Sequence, residues 1–126
     1  MASGQADQEI RNLSETIFIK GMNNFIKTLL IKEVVGRRKD LSVLDLCCGM
    51  GGDLEKWQKM NIAHYVGSDL SDKSVIEAQQ RHKNMCERAY RYEGGRNAPR
   101  GFSAIFIVSD AANGDQGSID SILNEE

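Results

Sequence analysis

The residues whose types and spacing could bind a ligand lie in one short stretch of the chain, residues 42–57. Gly49, Gly51 and Gly52 follow the apolar run 43–46, which is typical of a buried parallel strand. Glycines permit a sharp turn and let a ligand approach the bare backbone. Because a helix that begins at such a turn presents unpaired N–H groups, this arrangement is typical of sites for nucleotide-containing cofactors.

The spacing of these residues distinguishes between classes of cofactor. A dinucleotide-binding fingerprint, Gly-x-Gly-x-x-Gly, would need a third glycine where Leu54 stands. The spacing that is present, Asp45-x-x-x-Gly49-x-Gly51-Gly52, resembles the first motif of class I S-adenosylmethionine-dependent methyltransferases. That resemblance implies that the acidic residue closes the first strand and that the glycines flank the methionyl and ribose portion of the cofactor. A tight strand-to-helix turn without a ligand is the alternative.

Two further acidic residues are predicted at the C-terminal ends of strands. Asp69 ends the run 64–69, at about the distance from the glycine loop at which an acidic residue receives a ribose in nucleotide-binding sheets. Asp110 follows the apolar run 102–108. The resemblance to class I methyltransferases makes it a candidate to contact the exocyclic amine of the cofactor's adenine. Capping of the strand end or of the following turn is the alternative for both carboxylates.

The periodicity of apolar residues predicts the elements that position these groups. Residues 1–11 show no period and predict a flexible tail. The predicted helices are 13–35 with an interruption near Gly21 and a stop at Gly36, 53–60 with Asp53 as N-cap, one that begins at Ser71 or Asp72, and 118–126, and residues 93–101 predict a loop.

A helix followed by three strand-helix units predicts an α/β fold. The right-handed crossover rule gives parallel strands in the order 3-2-1, which is the N-terminal half of a Rossmann-like, doubly wound sheet. Residues 12–126 are therefore predicted to form a partial methyltransferase domain. Because strand 1 would be central in a complete sheet and here lacks a partner on one edge, we expect this chain to be the N-terminal portion of a larger catalytic domain.

Composition restricts the classes of protein that remain. The chain has 126 residues and a formal net charge of -2, which excludes an overall basic nucleic-acid-binding chain but allows a local basic patch. No signal peptide or membrane span is apparent, so we expect a soluble, intracellular protein. The three cysteines match neither a disulfide framework nor zinc spacing, and no metal site is predicted.

A closer resemblance covers residues 16–112 and joins several of these features. The segments that carry it are Met22-Asn23-Asn24-Phe25-Ile26-Lys27, Val43 to Trp57 with Gly51-Gly52-Asp53-Leu54-x-Lys56-Trp57, Ser68-Asp69-Leu70-Ser71 and Gln79-Gln80-Arg81. Together they resemble eukaryotic mRNA cap (guanine-N7) methyltransferases. The implied function is transfer of the methyl group of S-adenosylmethionine to N7 of the cap guanosine. The implied partners are the capped 5′ end of mRNA and the capping machinery, and the implied location is the nucleus.

The resemblance also assigns roles to individual residues. The implied cofactor-binding residues are Lys27, Asp45, Cys47, Gly49, Gly51, Asp69 and Asp110, and the implied substrate-binding residues are Asn23, Asn24 near the cap and Lys56, Arg81 near its phosphates. Surface solvation is the alternative for the three residues of the first helix. No catalytic residue is expected, because guanine N7 has a lone pair and no proton to lose, so that alignment with the methyl group suffices.

Two positions depart from the family pattern. Cys47 stands where the family has glycine, and Met50 stands where it has a basic residue. A side chain at the first position is expected to weaken or rearrange cofactor contacts, and loss of charge at the second is expected to alter phosphate contacts. Another class I methyltransferase, or a non-catalytic binding or activating module of the same fold, is the alternative function.

Overall fold

The computed structural model describes residues 2–92 and 100–112. Within them the chain forms three helices and three strands. The elements are α1 (Ala2–Val35), β1 (Ser42–Leu46), α2 (Leu54–Lys59), β2 (His64–Asp69), α3 (Asp72–Arg91) and β3 (Ser103–Val108). Most of the predicted loop 93–101 and all of the predicted helix 118–126 lie outside the described residues.

The first helix is longer than the sequence predicted. It begins at Ala2, so the prediction that residues 1–11 lack regular structure is wrong for residues 2–11. It also continues through Gly21, because a single glycine lowers helix stability without breaking the helix. Its end was predicted correctly: Gly36 has a φ of 57° and its N–H donates to the Lys32 carbonyl at 2.9 Å.

The chain divides into two compact units, Met1–Gly36 and Arg37–Glu126. The first unit contains α1, and the second contains the sheet with α2 and α3. The assignment of residues 12–126 to one partial methyltransferase domain stays a prediction. No helix in the described part of the chain combines the length and apolar character needed to cross a membrane.

The sheet of the second unit has the predicted topology. Its strands are parallel in the order β1-β2-β3, with Asp45 opposite Gly67 and Asp69 opposite Val108. This order confirms the prediction of strands 3-2-1 and places the C-terminal ends of all three strands at one edge. In open α/β sheets that edge is where ligands bind.

One face of the sheet carries the hydrophobic core. Leu54 of α2, Met85 of α3, Tyr65 of β2 and Phe102 before β3 are all buried in a single cluster. The Tyr65 ring lies 5.8 Å from the Phe102 ring, in a tilted arrangement that favours aromatic packing. On the other face the β1 side chains Leu44 and Leu46 retain 44% and 52% of their surface. Packing of α2 and α3 on the core face therefore fixes the loops at the C-terminal edge.

Candidate functional site

The glycine loop is held against the end of β2 by the backbone. The Cys48 N–H donates to the Ser68 carbonyl at 2.8 Å, and the Gly51 N–H donates back to the Cys48 carbonyl at 3.1 Å. Cys47, Gly49 and Gly51 all have positive φ, at 62°, 55° and 79°. Glycine adopts this conformation without steric cost, whereas a residue with a Cβ does so with strain. Cys47 therefore stands at a position that favours glycine.

Asp69 joins the glycine loop to the start of α3. Its Oδ2 atom accepts a hydrogen bond from the Gly49 N–H at 2.9 Å, and its Oδ1 atom accepts one from the Ser71 N–H at 3.0 Å. Ser71 in turn caps α3, because its hydroxyl accepts from the Ser74 N–H at 3.3 Å. Asp69 and Gly49, predicted separately as cofactor-binding residues, are thus in direct contact.

Asp45 lies on β1 and is bound by a tyrosine of β2. The Tyr65 hydroxyl donates to Asp45 Oδ2 at 2.7 Å, and the tyrosine itself is fully buried. Burial, reinforced by the bond to Asp45, raises the pKa of Tyr65 well above its ordinary value. The tyrosine therefore remains a neutral donor, and the Asp45 carboxylate is held in place beneath the glycine loop.

The glycines of the loop differ in what surrounds them. A Cβ at Gly51 would lie 2.6 Å from Leu54 Cδ1 and 3.2 Å from Ala78 Cα, so this position is needed for close packing between the loop and the two helices. A Cβ at Gly49 or at Gly52 would meet no atom within 4 Å. The backbone at these two glycines is therefore open to a ligand.

Asp110 follows β3 at the same edge of the sheet. Its Oδ1 atom accepts from the Ala112 N–H at 2.9 Å, as expected for a carboxylate that caps a turn. The neighbouring Ser109 N–H donates to the Asp69 carbonyl at 3.0 Å. The ends of β2 and β3 are therefore adjacent, and this brings the two predicted acidic residues to one edge.

Asp53 does not have the capping role that the sequence predicted. It occupies the N-cap position of α2, but its side chain makes no capping hydrogen bond to the helix backbone. Instead Asp53 Oδ1 accepts from Lys56 Nζ at 2.8 Å in an ion pair that is largely shielded from solvent. This pair forms because the two side chains lie one turn apart on the same helix face. It also means that Lys56, a predicted phosphate ligand, is bound to a carboxylate.

Arg81 lines an open cleft of about 600 Å³ between the glycine loop and α3. Lys56 is not among the residues that line it, so the structure does not place these two predicted phosphate ligands in one cleft. Asn84 and Arg88 do line it, and sequence reasoning missed both. Their spacing from Arg81, three and seven residues along a helix, is the signal that would have identified them.

The remaining thiol and imidazole groups of the second unit have structural contacts. Cys48 is buried, and burial raises its pKa to about 11, so the thiol is protonated at neutral pH. His82 Nε2 lies 2.8 Å from the Phe102 carbonyl oxygen, and this fixes the ring against β3. Among the described residues no group of three or more His, Cys, Asp or Glu side chains is arranged to hold a metal ion.

Asn23, Asn24 and Lys27 lie in the first compact unit, and they are described with α1 alone. All three are exposed on the helix. Asn23 and Lys27 are separated by one turn and share a helix face.

Comparison with known proteins identifies the family. The model of the mRNA (guanine-N(7))-methyltransferase domain matches residues 2–125 of the chain. The chain belongs to this family. It is 46% identical over 102 residues to an mRNA cap guanine-N(7) methyltransferase of Cryptococcus neoformans var. neoformans serotype D, with 81% of this chain covered. Two other relatives are an mRNA cap guanine-N(7) methyltransferase of Drosophila melanogaster, 33% identical over 85% of this chain, and mRNA cap guanine-N(7) methyltransferase 1 of Arabidopsis thaliana, 41% identical over 66% of this chain.

The matched segment is a small part of each relative. It covers 26% of the Drosophila protein, 22% of the Arabidopsis protein and 14% of the Cryptococcus protein. Family membership fixes the Rossmann-like methyltransferase fold for this segment. Members of this methyltransferase family use S-adenosylmethionine as their cofactor in general.

Proposed function

We propose that this chain is the cofactor-binding part of an mRNA cap guanine-N7 methyltransferase. The reaction is transfer of the methyl group of S-adenosylmethionine to N7 of the guanosine that caps nascent mRNA. The observation that carries the proposal is the contact of the Asp69 carboxylate with the Gly49 N–H at 2.9 Å. It puts an acid and an open glycine backbone side by side at the ligand-binding edge of a parallel sheet.

The residues at this edge fit such a cofactor. The Asp69 carboxylate has lone pairs besides those used by Gly49 and Ser71, and they can accept from the two ribose hydroxyls. Asp110, at the end of β3, is suited to accept from the exocyclic amine of adenine. The open backbone at Gly49 is suited to the ribose and methionyl portion. Asp45, Cys47 and Gly51 complete the proposed set in the second unit, and Lys27 of α1 is proposed as a cofactor ligand on the family resemblance alone.

The chemistry requires little from the protein beyond alignment. The sulfonium of S-adenosylmethionine supplies an electrophilic methyl group, and guanine N7 attacks it with a lone pair that carries no proton. No general base is therefore needed, and the residues act by holding the two reactants in line and by excluding unproductive orientations. The proposal accordingly assigns binding roles and no catalytic residue to this chain.

On the substrate side the proposal assigns the capped 5′ end of mRNA. Asn23 and Asn24 of α1 are proposed to approach the cap guanosine, and Lys56 and Arg81 are proposed to bind the triphosphate bridge. Lys56 Nζ carries three N–H donors, so it can bind a phosphate while it keeps the ion pair with Asp53. We further propose a nuclear location and contact with the capping machinery, since cap methylation acts on the nascent transcript.

Calorimetric titration of the chain with S-adenosylhomocysteine tests the cofactor site. We expect saturable one-to-one binding that is strongly weakened by Asp69→Ala. Asp72→Ala is the matched control. It removes the same charge three residues away, at a carboxylate whose Oδ1 atom accepts from the adjacent Lys73 N–H at 2.8 Å. Equal binding by the wild type and Asp69→Ala would contradict the assignment.

A non-catalytic module of the same fold is the second candidate. The positive φ of Cys47 favours it, because a strained side chain stands in the loop that would contact the cofactor. Absence of S-adenosylhomocysteine binding by folded wild-type chain, with binding restored in Cys47→Gly, would support this candidate. Methylation of uncapped substrates alone by a longer form of the protein would instead favour another class I methyltransferase.

A further inference from the structure

The cleft beside the glycine loop extends past Arg81, the residue of the cleft that is proposed to bind the cap phosphates. One wall is the backbone of Gly51 and Gly52, and the other is a face of α3 that presents Arg81, Asn84 and Arg88. These three side chains are spaced so that they follow one line along the helix. Two guanidinium groups and one amide on a single line form a row of hydrogen-bond donors.

Within the described residues, the carboxylates that pair with the two arginines of this row are exposed and exchangeable. Arg81 Nε donates to Glu77 Oε1 at 3.2 Å, and about half of each side chain is exposed. An Arg88 guanidinium nitrogen lies 3.5 Å from Glu55 Oε1, and these side chains are 62% and 65% exposed. Exposed ion pairs contribute little to stability and are screened by salt. A phosphate group, which an arginine can bind through two parallel hydrogen bonds, competes well for such a side chain.

We propose that Asn84 and Arg88 bind the phosphodiester backbone of the RNA immediately beyond the cap. The inference rests on the proposed function, which places the triphosphate bridge at Arg81. Seven residues separate Arg81 from Arg88, so they lie about 10 Å apart along the axis of α3. At that separation the two side chains can contact different phosphates of one extended chain.

Glu55 has a regulatory position in this arrangement. It lines the same cleft and pairs with Arg88, so its carboxylate competes with RNA phosphate for the Arg88 guanidinium. RNA binding therefore exchanges an internal carboxylate partner for a phosphate partner. Removal of the Glu55 charge should strengthen binding of RNA, whereas removal of the Arg88 charge should weaken it. A structural role of the pair would not produce opposite effects.

The experiment compares two unmethylated probes at two salt concentrations. The cap dinucleotide GpppG has the triphosphate bridge but no phosphodiester, and a short GpppG-capped RNA has both. Loss of one phosphate contact with a single strand makes the negative slope of log K against log salt less steep by about 0.7. This corresponds to about eightfold weaker binding at about 50 mM salt and about fourfold at about 150 mM. We expect Arg88→Ala to show these changes for the RNA and none for GpppG.

Two further variants make the test specific. Glu55→Gln should bind the capped RNA more tightly and GpppG unchanged, and this gain should disappear in the double variant with Arg88→Ala. Lys83→Ala, which removes a positive charge of α3 outside the cleft, should leave both affinities unchanged. Equal losses for both probes in Arg88→Ala would overturn the inference, because Arg88 would then belong to the cap subsite.

The remaining outcomes separate the inference from the function on which it rests. If wild-type chain binds GpppG but gains nothing from the attached RNA, the inference fails and the proposed function stands. If wild-type chain binds neither probe, the proposed cap site of this chain fails and the inference fails with it.

Discussion

Replacement of Cys47 by glycine should stabilise the protein. Cys47 has a φ of 62°, in the left-handed region where a Cβ crowds the following carbonyl. Its side chain is exposed, so removal of the thiol and Cβ sacrifices little packing. The family pattern, which has glycine at this position, agrees with the expectation from the backbone conformation.

The expected gain follows from two opposing contributions. A left-handed conformation costs a residue with a Cβ about 1–2 kcal/mol. Glycine removes that cost but gives the unfolded chain more conformational freedom, which favours unfolding by about 0.5–1 kcal/mol. The net increase in the free energy of unfolding is therefore about 0–1.5 kcal/mol, with a central value of about 0.8 kcal/mol. For a domain of this size such a gain raises the Tm by a few degrees.

Urea unfolding monitored by Trp57 fluorescence measures this change. Trp57 is the only tryptophan of the chain, and it packs against the core from α2, directly after the glycine loop. Cys47→Ala is the control, since it removes the thiol but keeps the Cβ, and we expect a change within about 0.5 kcal/mol of zero. Equal stabilisation by alanine and glycine would show that the thiol, and not the backbone conformation, is responsible, and the reasoning would be refuted.

Three other outcomes are expected from the loop and the core beneath it. Gly51→Ala should lower the free energy of unfolding by about 1–3 kcal/mol, since its Cβ would lie 2.6 Å from Leu54 Cδ1, whereas Gly52→Ala should change it little; urea unfolding of the pair checks both. The pKa of Cys48 is raised from 9.0 to about 11, so above pH 9 the unfolded state loses a proton that the folded state keeps. The free energy of unfolding should therefore fall by roughly 1 kcal/mol per pH unit up to pH 11. Cys48→Ala should remove this slope below pH 10. Tyr65→Phe should cost about 1–2 kcal/mol in thermal unfolding, because Asp45 loses a 2.7 Å hydrogen bond inside the protein, and no loss would mean that water replaces the hydroxyl.

The sequence predicted what depends on neighbouring residues and on the rules of parallel sheets. The apolar run before the glycines and the acids after each run predicted three strands, and the crossover rule predicted their order. The start of α3 was predicted at Ser71 or Asp72; the helix begins at Asp72, and Ser71 is its N-cap because the Ser71 hydroxyl has a local partner, the Ser74 N–H. The part of the site that Asp69 and the glycine loop form could also be predicted, since strand order alone brings them side by side.

Features that depend on competition between partners were not predicted. Asp53 has the residue type of an N-cap, but Lys56 one turn away attracts its carboxylate. The Asp53 side chain therefore makes no capping hydrogen bond to the backbone of α2. The helical start of α1 at Ala2 was missed because residues 2–11 lack an apolar period. Arg88 was not predicted as a cleft residue: its spacing from Arg81 indicates a shared helix face, but the cleft itself forms only when α3 packs against the glycine loop.

Asp69 links the stability of the loop to its proposed function, and this affects how substitutions there should be read. The carboxylate accepts from Gly49 and Ser71 whether or not a cofactor is bound, so its removal leaves two backbone N–H groups without their acceptors. Asp69→Ala therefore lowers stability and binding together. Asp69→Asn keeps one oxygen acceptor but loses the charge and the second oxygen. A binding loss in Asp69→Asn that exceeds its loss of stability would therefore measure the contribution of the carboxylate to the ligand itself.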